Sequence, residues 1–382
     1  GALPPEFYIP EGFTFLILFG LPHLALARAA LLGGLLLFMR ALDGDDWRRP
    51  AVLAGLTWLV VGLAVPFYFG LLYALLGAWG LALWLRRRAF PLDFAKRALV
   101  AAGITVPLFA YYAVVFTTHP VFAAWSAQNQ LPSPPLLHYV LAYSLLALPA
   151  LPGARWAWLR ARLDGRFALL VGWVVIALPL VYLPINVQRR LGEAILVPLA
   201  ILASAGLTVW ARAWARRQSG RAFRQRLIPA AVALIVVTSI SSLLVWVGGF
   251  GAAQNPARPL FHPVEELTAF DWLNAHAPPD AVVLANTETG NALPVYANVR
   301  TYVGHGPETL NWQAKTEQVE RFFSGGMTTE ERQALYSDHA IRYVFYGPLE
   351  RALASSPDAP AWADDLTLRY DEAGYRIYAV DD

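Results

Sequence analysis

The sequence predicts a polytopic α-helical membrane protein that has about eight transmembrane helices and a C-terminal exterior α/β domain. Of its 382 residues, 57% are hydrophobic and only 15% are charged, whereas ordinary soluble domains carry roughly 25% charged residues. Residues 1–249 hold 21 basic and 8 acidic residues, and residues 250–382 hold 9 and 19. A basic, apolar region is thus joined to an acidic region of ordinary composition, which indicates two domains in different solvents.

Eight apolar segments approach the length of about 20 helical residues that crosses a bilayer. Two adjacent segments form a run of 35 residues without a charge, 51–85, which is too long for one helix. Because Pro66 removes a backbone donor near its middle, we expect a helical hairpin that turns through residues 66–69; one bent helix is the alternative. The eight segments are residues 21–41, 51–65, 67–85, 97–116, 136–152, 167–183, 191–209 and 228–248.

The basic residues support this count. With eight spans, the loops on one side carry 18 basic residues, and the short loops opposite carry only Arg189 and Arg190. Because loops rich in Lys and Arg stay in the cytoplasm, we expect a multi-pass protein of the plasma (inner) membrane, with its C-terminal domain exterior or periplasmic. The 18 residues are Arg40, Arg48, Arg49, Arg86, Arg87, Arg88, Lys96, Arg97, Arg155, Arg160, Arg162, Arg166, Arg212, Arg216, Arg217, Arg221, Arg224 and Arg226.

We divide the chain into a transmembrane helical domain at 1–249, a Gly/Pro-rich linker at 250–263 and a soluble exterior α/β domain at 264–382. The last domain alternates apolar patterns of helical and of extended period. A capping box, Thr328 with Glu331, marks the start of one of its helices. We expect helices at 264–276, 309–323 and 328–337, and strands at 281–284, 300–303, 341–346, 366–370 and 375–380.

Arg189 and Arg190 are the strongest candidates for a binding site. They lie where the charge rule disfavours basic residues, and a guanidinium fork can bind two phosphate oxygens at once. We therefore expect them to bind a donor phosphate, with Gln188 and Glu193 beside the substrate. An ion pair between an arginine and Glu193, or contact with lipid headgroups, is the alternative.

Two further regions carry candidate substrate-binding residues. The loop 118–135 is polar but uncharged, and its Trp125 and Asn129 suit a sugar because indole faces stack on C–H groups and amides bind hydroxyls; a plain solvated loop is the alternative. In the first span, His23 and Arg28 are costly in lipid and are expected to face a polar cavity. Arg28 could instead snorkel or pair with another helix.

Metal and nucleotide signatures are weak. The run Asp43–Asp46 resembles a metal-binding Asp-x-Asp motif, but it falls on the predicted cytoplasmic side and is interpreted as a solvated turn. Gly304–Thr309 lacks the third glycine of a dinucleotide fingerprint; its His305 and Glu308 either contact a substrate or form a loop hydrogen-bond network. No cofactor is certain, a divalent cation is the one left open, and no nucleic-acid partner is expected.

Four stretches, taken in order, resemble the GT-C superfamily of glycosyltransferases, which includes protein O-mannosyltransferases and the aminoarabinose transferase of lipid A. Together with the topology, the resemblance covers nearly the whole chain. It implies a polytopic enzyme that takes a sugar from a polyprenyl-phosphate carrier. The stretches are Pro22–Ala27, Trp125–Pro134, Gln188–Arg190 with Pro198–Ala200, and Gly304-His305 with Thr309 and Lys315.

The resemblance also implies a catalytic carboxylate in the first exterior loop, after an earlier transmembrane helix. Residue 1 is Gly and not Met, and the only acids before the first span are Glu6 and Glu11. We expect the chain to be a fragment that lacks its N-terminal part and, with it, the catalytic loop. Glu11 is the candidate catalytic residue within the chain itself.

The leading hypothesis is a membrane glycosyltransferase that moves a sugar from a polyprenyl-phosphate donor to an unknown acceptor at the exterior membrane face. Its partners would be this donor, the acceptor and the lipid bilayer. The alternative is a non-catalytic membrane subunit of an envelope-polysaccharide or other membrane assembly. A transporter is disfavoured because no inverted repeat is visible.

Overall fold

The structure is a computed structural model that describes residues 4–216, 220–358 and 360–381. Among the basic loop residues, Arg217 and the side chains of Arg221, Arg224 and Arg226 lie outside the described residues. The outermost ends of the predicted domains, residues 1–3 and residue 382, lie outside them as well.

The chain divides into two compact units. The first contains residues up to His119 together with Asn129–Gly251, and the second contains Pro120–Gln128 and Ala252–Asp382. A short helix within the predicted membrane domain thus belongs to the second unit. The last long helix continues to Gln254, so residues 250–254 of the predicted linker are helical. The predicted domain boundaries otherwise stay predictions.

Eleven helices precede the second unit's main body in the described residues. Each of the eight predicted apolar segments overlaps one of them or, for residues 97–116, a bent pair. The helices are α1 (Thr14–Gly20), α2 (Pro22–Leu42), α3 (Arg48–Ala64), α4 (Tyr68–Arg87), α5 (Leu92–Gly103), α6 (Val106–Thr118), α7 (Pro120–Gln128), α8 (Leu136–Arg160), α9 (Arg166–Val181), α10 (Leu196–Ala215) and α11 (Gly220–Gln254).

Five helices of the described residues are long and apolar enough to cross a membrane, and the bent pair α5–α6 makes a sixth if it counts as one span. This is consistent with a polytopic helical membrane protein. Helices α3 and α9 have only 17 and 16 residues, so the count of eight spans stays a prediction. The five are Pro22–Leu42, Tyr68–Arg87, Leu136–Arg160, Gln188–Ala215 and Pro229–Gln254.

Prolines account for two interruptions of the apolar segments. Helix α3 ends at Ala64 and α4 begins at Tyr68, so the long apolar run is broken at Pro66, as the predicted hairpin requires. The predicted span at 97–116 is instead bent by 56° between α5 and α6. Pro107 explains this bend because it has no N–H for the carbonyl of Gly103, four residues earlier.

Small residues allow helices of the first unit to pack closely. A Cβ placed on Gly153 of α8 would overlap the Leu202 carbonyl oxygen of α10, and one on Gly206 of α10 would overlap the Pro149 carbonyl oxygen of α8. Because lipid provides no hydrophobic force between helices, such close backbone approach is what gains van der Waals contact.

The second unit contains a five-stranded mixed sheet of order β2-β1-β3-β5-β4. Strand β1 pairs in parallel with β2 and β3, whereas β5 pairs antiparallel with β3 and β4. The elements are α12 (Val264–His276), β1 (Val282–Leu284), α13 (Thr287–Tyr296), β2 (Arg300–Thr301), α14 (Trp312–Phe323), α15 (Thr329–Asp338), β3 (Ile341–Tyr346), α16 (Pro348–Arg351), β4 (Thr367–Glu372) and β5 (Tyr375–Ala379).

This unit confirms the predicted alternation of helices and strands, including the capping box of Thr328 and Glu331. Helix α13 was not predicted. The sheet is packed on both faces: Val344 and Tyr346 of β3 enter a core with α14 and α15, and Phe345 enters a core with α12 and α13. This alternation is the period of two expected of a strand.

Candidate functional site

The candidate site of the first unit is built around Arg28 of α2. Its side chain is 5% exposed, and it makes an ion pair through Nε with a carboxylate oxygen of Glu193. Its Nη1 donates to Thr14 Oγ1 at 2.9 Å, and its Nη2 donates to the carbonyl oxygen of Glu11 at 2.7 Å. Arg28 therefore holds the N-terminal segment and the segment before α10 against α2.

Glu193 lies in a break of the chain that places its side chain inside the unit. A short 3-10 helix, Gln188–Gly192, precedes it, and Ala194 after it has φ of +58°. The Glu193 side chain is fully buried, and its second oxygen accepts from Tyr68 Oη at 2.7 Å. The alternative of an ion pair between Glu193 and Arg189 or Arg190 is wrong, because Glu193 pairs with Arg28 instead.

Arg190 and Glu11 form the second charged pair. Arg190 Nε lies 3.5 Å from Glu11 Oε1, an ion pair without hydrogen-bond geometry. The Arg190 guanidinium also lies 4.8 Å from the ring centroid of Phe67, and that of Arg189 lies 5.8 Å from the ring of Tyr8. Both arginines thus reach the N-terminal segment, and the Nε atoms of both are buried without a hydrogen-bond partner in the described residues.

The cluster formed by Glu11, Arg28, Arg189, Arg190 and Glu193 can bind an anion. It contains three guanidiniums and two carboxylates, so its net charge is +1. Each carboxylate oxygen of Glu193 accepts a hydrogen bond, one from Arg28 and one from Tyr68. In contrast, Glu11 Oε2 is buried and has no hydrogen-bond partner among the described residues. The Glu11 carboxylate is therefore the one in this cluster that keeps an oxygen without a hydrogen bond from any described group.

An apolar groove of about 180 Å³ adjoins the charged cluster. Its walls come from the N-terminal segment, α8, α9 and α10, and Arg189 is the one charged residue among the described residues that line it. A groove that is apolar along its length and cationic at one side suits a lipid chain with a phosphate at its end. Lining residues include Ile9, Tyr139, Tyr143, Val174, Val181 and Leu199.

Gln188 connects two loops beside the cluster. With its amide oriented to satisfy both neighbours, its nitrogen lies 2.6 Å from the Leu183 carbonyl oxygen and its oxygen lies 3.1 Å from the Ser133 backbone nitrogen. The backbone N–H of Leu131 donates to the Asn186 carbonyl at 2.7 Å. Gln188 therefore has partners within the chain, and it supports the loop that carries the two arginines.

The other predicted residues lie elsewhere. His23 is exposed although Arg28 is buried, because five residues along an α-helix turn the side chain by about 140°. Asn129 is 9% exposed in the first unit. In the second unit, the indole nitrogen of Trp125 donates to Glu308 Oε2 at 2.6 Å. His305 is exposed there, and its carbonyl accepts from Thr309 Oγ1 at 2.9 Å, the loop network named as its alternative.

No group of three or more His, Asp or Glu side chains in the described part of the chain could hold a metal ion. The run at Asp43–Asp46 is an exposed bend, and Asp43 Oδ2 accepts from Arg166 at 3.2 Å. It was interpreted as a solvated turn, and the structure confirms this. The divalent cation stays a prediction.

Sequence reasoning missed two hydrogen-bond partners of the cluster, Tyr68 and Thr14. Tyr68 is the first residue of α4, directly after the turn at Pro66, and Thr14 is the first residue of α1. The sequence signal that could have indicated them is that each lies on the side of the membrane where the span of Arg28 is predicted to begin. It could not indicate which partner either hydroxyl would find.

No protein-family model matches the chain, and no curated protein matches it. Similar solved structures include the oligosaccharyltransferase of Archaeoglobus fulgidus tethered with an acceptor peptide that contains the NVT sequon, and oligosaccharyltransferase AglB of the same archaeon in complex with an inhibitory peptide and a dolichol-phosphate. The identity is 13% for both, the TM-scores are 0.45 and 0.49, and each comparison covers 94% of this chain and 56% of the other.

Both of these proteins are GT-C superfamily enzymes, the group that the motifs of the sequence resemble. The chain spans little more than half of their length. A similarity of this size assigns no activity, substrate or residue role to the chain.

Proposed function

We propose that the chain is a GT-C-type membrane glycosyltransferase that transfers a sugar from a polyprenyl-phosphate donor to an acceptor at the exterior face of the plasma membrane. The observation that carries the proposal is the ion pair of Glu11 with Arg190 beside an apolar groove that Arg189 lines. Glu11 is buried, and one of its carboxylate oxygens has no hydrogen-bond partner among the described residues. Polyprenyl phosphate combines the two features that this site complements, a long apolar chain and an anionic end.

In the proposed reaction, the acceptor hydroxyl attacks the anomeric carbon of the sugar and a new C–O bond forms. The bond between that carbon and the phosphate oxygen breaks, and the polyprenyl phosphate leaves with the electron pair. Arg189 and Arg190 would stabilise the negative charge that grows on this oxygen. Glu11 would take the hydroxyl proton or orient the hydroxyl.

The remaining candidates have supporting roles in this proposal. Arg28, Glu193 and Gln188 position the segments that carry Glu11 and the arginines. Trp125 and His305 of the second unit and Asn129 of the first unit stay candidate substrate-binding residues. His23 is exposed and is not part of the cluster. The transfer assay also tests whether a divalent cation is required. If EDTA inhibits transfer and added Mg²⁺ restores it, the requirement is supported.

The experiment is a transfer assay in proteoliposomes, with a radiolabelled polyprenyl-phosphate sugar and extracted envelope glycans as acceptors. Arg189→Gln should lower turnover by about 10²–10³, the usual effect of one lost charge-stabilising donor. Glu11→Gln should lower it at least as much and leave donor binding in place. Arg190→Lys separates charge from geometry, because lysine keeps the charge and loses the planar fork.

Arg48→Gln with Arg49→Gln is the matched control, because this adjacent pair is exposed at the other end of α2 and α3. It should leave transfer unchanged. Folding of every variant is checked by size-exclusion profile and circular dichroism. If the unmodified chain binds the donor but transfers no sugar, and Glu11→Gln leaves that binding unchanged, the alternative of a non-catalytic membrane subunit is favoured.

A further inference from the structure

A second charged site lies at the opposite end of the first unit from the Glu11 cluster. Helices α2 and α4 both start at the cluster and both end at a cleft of about 640 Å³. Leu42 lies 14 residues after Arg28 in α2, and Arg87 lies 19 residues after Tyr68 in α4, so the two sites are about 20–30 Å apart at 1.5 Å per residue. Charged residues of the cleft are Asp43, Arg87, Asp93, Arg97, Asp164 and Arg166.

Arg166 is paired with two aspartates of the cleft. Its Nε donates to Asp164 Oδ1 at 2.9 Å, and its Nη1 donates to Asp43 Oδ2 at 3.2 Å. Burial would raise the pKa of Asp164, but the hydrogen bonds and charge of Arg166 outweigh it and lower that pKa. These three residues form an exposed ion-pair group on one side of the cleft, and the charge of Arg87 also helps to lower the pKa of Asp164.

Arg87 and Arg97 face the cleft without an ion pair or hydrogen bond of their side chains in the described residues. Arg97 is held only by its contact with the ring of Trp47, at 5.9 Å from the centroid. Asp93 lies in the first turn of α5, and no described side chain binds its carboxylate. Three arginines and three aspartates give the cleft no net charge, so a ligand that carries both signs fits better than a simple anion.

Apolar side chains surround the mouth of the cleft. Leu163 is 89% exposed, Leu92 is 62% exposed and Phe90 is 60% exposed, and all three line the cleft. Exposed apolar groups beside charged ones are typical of a surface that meets a lipid headgroup and the start of its acyl chains. A free phosphate would leave this apolar rim uncovered.

We propose that the cleft binds a zwitterionic phospholipid whose headgroup carries a primary ammonium, of the phosphoethanolamine type. Arg87 and Arg97 bind the phosphate oxygens, and Asp93 and the unpaired oxygen of Asp43 accept from the ammonium. A choline headgroup has no N–H to donate, and a glycerol headgroup has no positive charge. The site is separate from the proposed transfer reaction.

The test uses the full chain in nanodiscs of phosphatidylcholine alone, or with added phosphatidylethanolamine or phosphatidylglycerol. Lipid retained after mild extraction is measured by native mass spectrometry, and thermal unfolding is followed in parallel. Phosphatidylethanolamine should be retained about tenfold more than either other lipid, the effect of one good polar contact, and should raise the midpoint of unfolding.

Two variants and a control decide the assignment. Arg87→Gln with Arg97→Gln should abolish the preference, whereas Asp93→Asn should give the cleft a net positive charge and turn the preference toward phosphatidylglycerol. Arg212→Gln with Arg216→Gln removes two exposed charges at the end of α10 and should change nothing.

Three results would overturn the proposal. Equal retention of all three lipids would show general surface contact. A preference for phosphatidylglycerol in the unmodified chain would show an anion site. Soluble phosphoethanolamine or inorganic phosphate that reproduced the whole thermal shift would show that no lipid is needed.

Discussion

At the scale of single residues, Arg28 shows how a charge is kept inside the first unit. A guanidinium has five donors and cannot be deprotonated, so burial requires acceptors on several sides. Thr14, the carbonyl of Glu11 and the carboxylate of Glu193 supply them. The same residue that satisfies Glu193 therefore also fixes the segment that carries Glu11.

We expect Arg28→Met to cost about 3–5 kcal/mol of unfolding free energy, because it leaves the buried Glu193 charge without its partner. Arg28→Met combined with Glu193→Met should cost less than the first change alone, because both charges are then removed. The free energy of unfolding is measured by denaturant in one detergent for Arg28→Met, Glu193→Met and the double variant, which together form a double-mutant cycle. Equal losses for the single and double variants would contradict the proposed pair.

Glu350 of the second unit gives a pH-dependent prediction. Its carboxylate is fully buried and accepts from the backbone N–H groups of Asn286 and Gly347 at 2.8 and 2.9 Å. Burial raises the pKa of Glu350, although the hydrogen bonds oppose this. The pKa of Glu350 in the folded chain therefore lies above its pKa in the unfolded chain. The folded state is stabilised in full by the protonated carboxyl at a pH below the unfolded pKa, and this contribution to the free energy of unfolding is lost as the pH rises through the folded pKa.

The measurement is hydrogen exchange of the full chain at several pH values, corrected for the intrinsic exchange rate and read at peptides around residues 286–290 and 347–350. Protection should fall with rising pH in the unmodified chain and less so in Glu350→Gln, which cannot ionise. Parallel pH curves for the two proteins would mean that Glu350 keeps an ordinary pKa.

At the scale of elements, the contact of α8 with α10 depends on the two glycines that let their backbones meet. Helix α8 also contains Pro149 and Pro152, which leave carbonyls without helical donors. The carbonyl of Pro149 itself faces Gly206 of α10, and Gly153 one turn later faces the carbonyl of Leu202. The groove and the charged cluster both include residues of these helices or of the segment between α9 and α10.

Gly206→Leu should separate α8 from α10 and cost about 1–3 kcal/mol or more, since the added side chain meets the Pro149 carbonyl. The readouts are the thermal unfolding midpoint and, if the proposed function holds, transfer activity. Gly77→Leu is the matched control, because this glycine is exposed in α4 and has no atom within 4 Å of an added Cβ. If both substitutions lower the unfolding midpoint equally, the loss comes from replacing a glycine in a helix and not from separating α8 and α10.

At the scale of the whole molecule, the charge division sets the predicted orientation. The acidic second unit and the basic loops should lie on opposite sides of the membrane, because Lys and Arg near a span resist translocation. The chain contains no natural cysteine, so single cysteines report position without background.

We expect Ser356→Cys, at an exposed site of the second unit, to react with a membrane-impermeant maleimide in intact cells. Asp45→Cys, in the exposed bend after α2, should react only after permeabilisation. The gel shift of the labelled chain is the measurement. The reverse pattern would place the Glu11 cluster on the cytoplasmic face and remove the basis of an exterior transfer reaction.

Several features followed from local sequence. Apolar runs located the helices of the first unit, Pro66 located the hairpin, and alternation with caps located β3, α12 and α15. Such signals are local, because helix and strand periods and proline geometry depend on neighbouring residues. Bounds were less accurate where a helix continued into polar residues, as α11 does to Gln254.

The candidate site was predictable only in part. Arg28 and Arg190 were identified as costly or unusual charges, Glu193 by its place after the two arginines, and Glu11 through the family resemblance, but the pairs that they form were not predicted. Arg28 and Glu193 are 165 residues apart, and no spacing rule connects them. The amino-acid sequence determined where the helices form and which charges had to find partners, because hydropathy and desolvation act on each residue. Only the tertiary structure decided which partner each charge found, because that depends on which helices pack together.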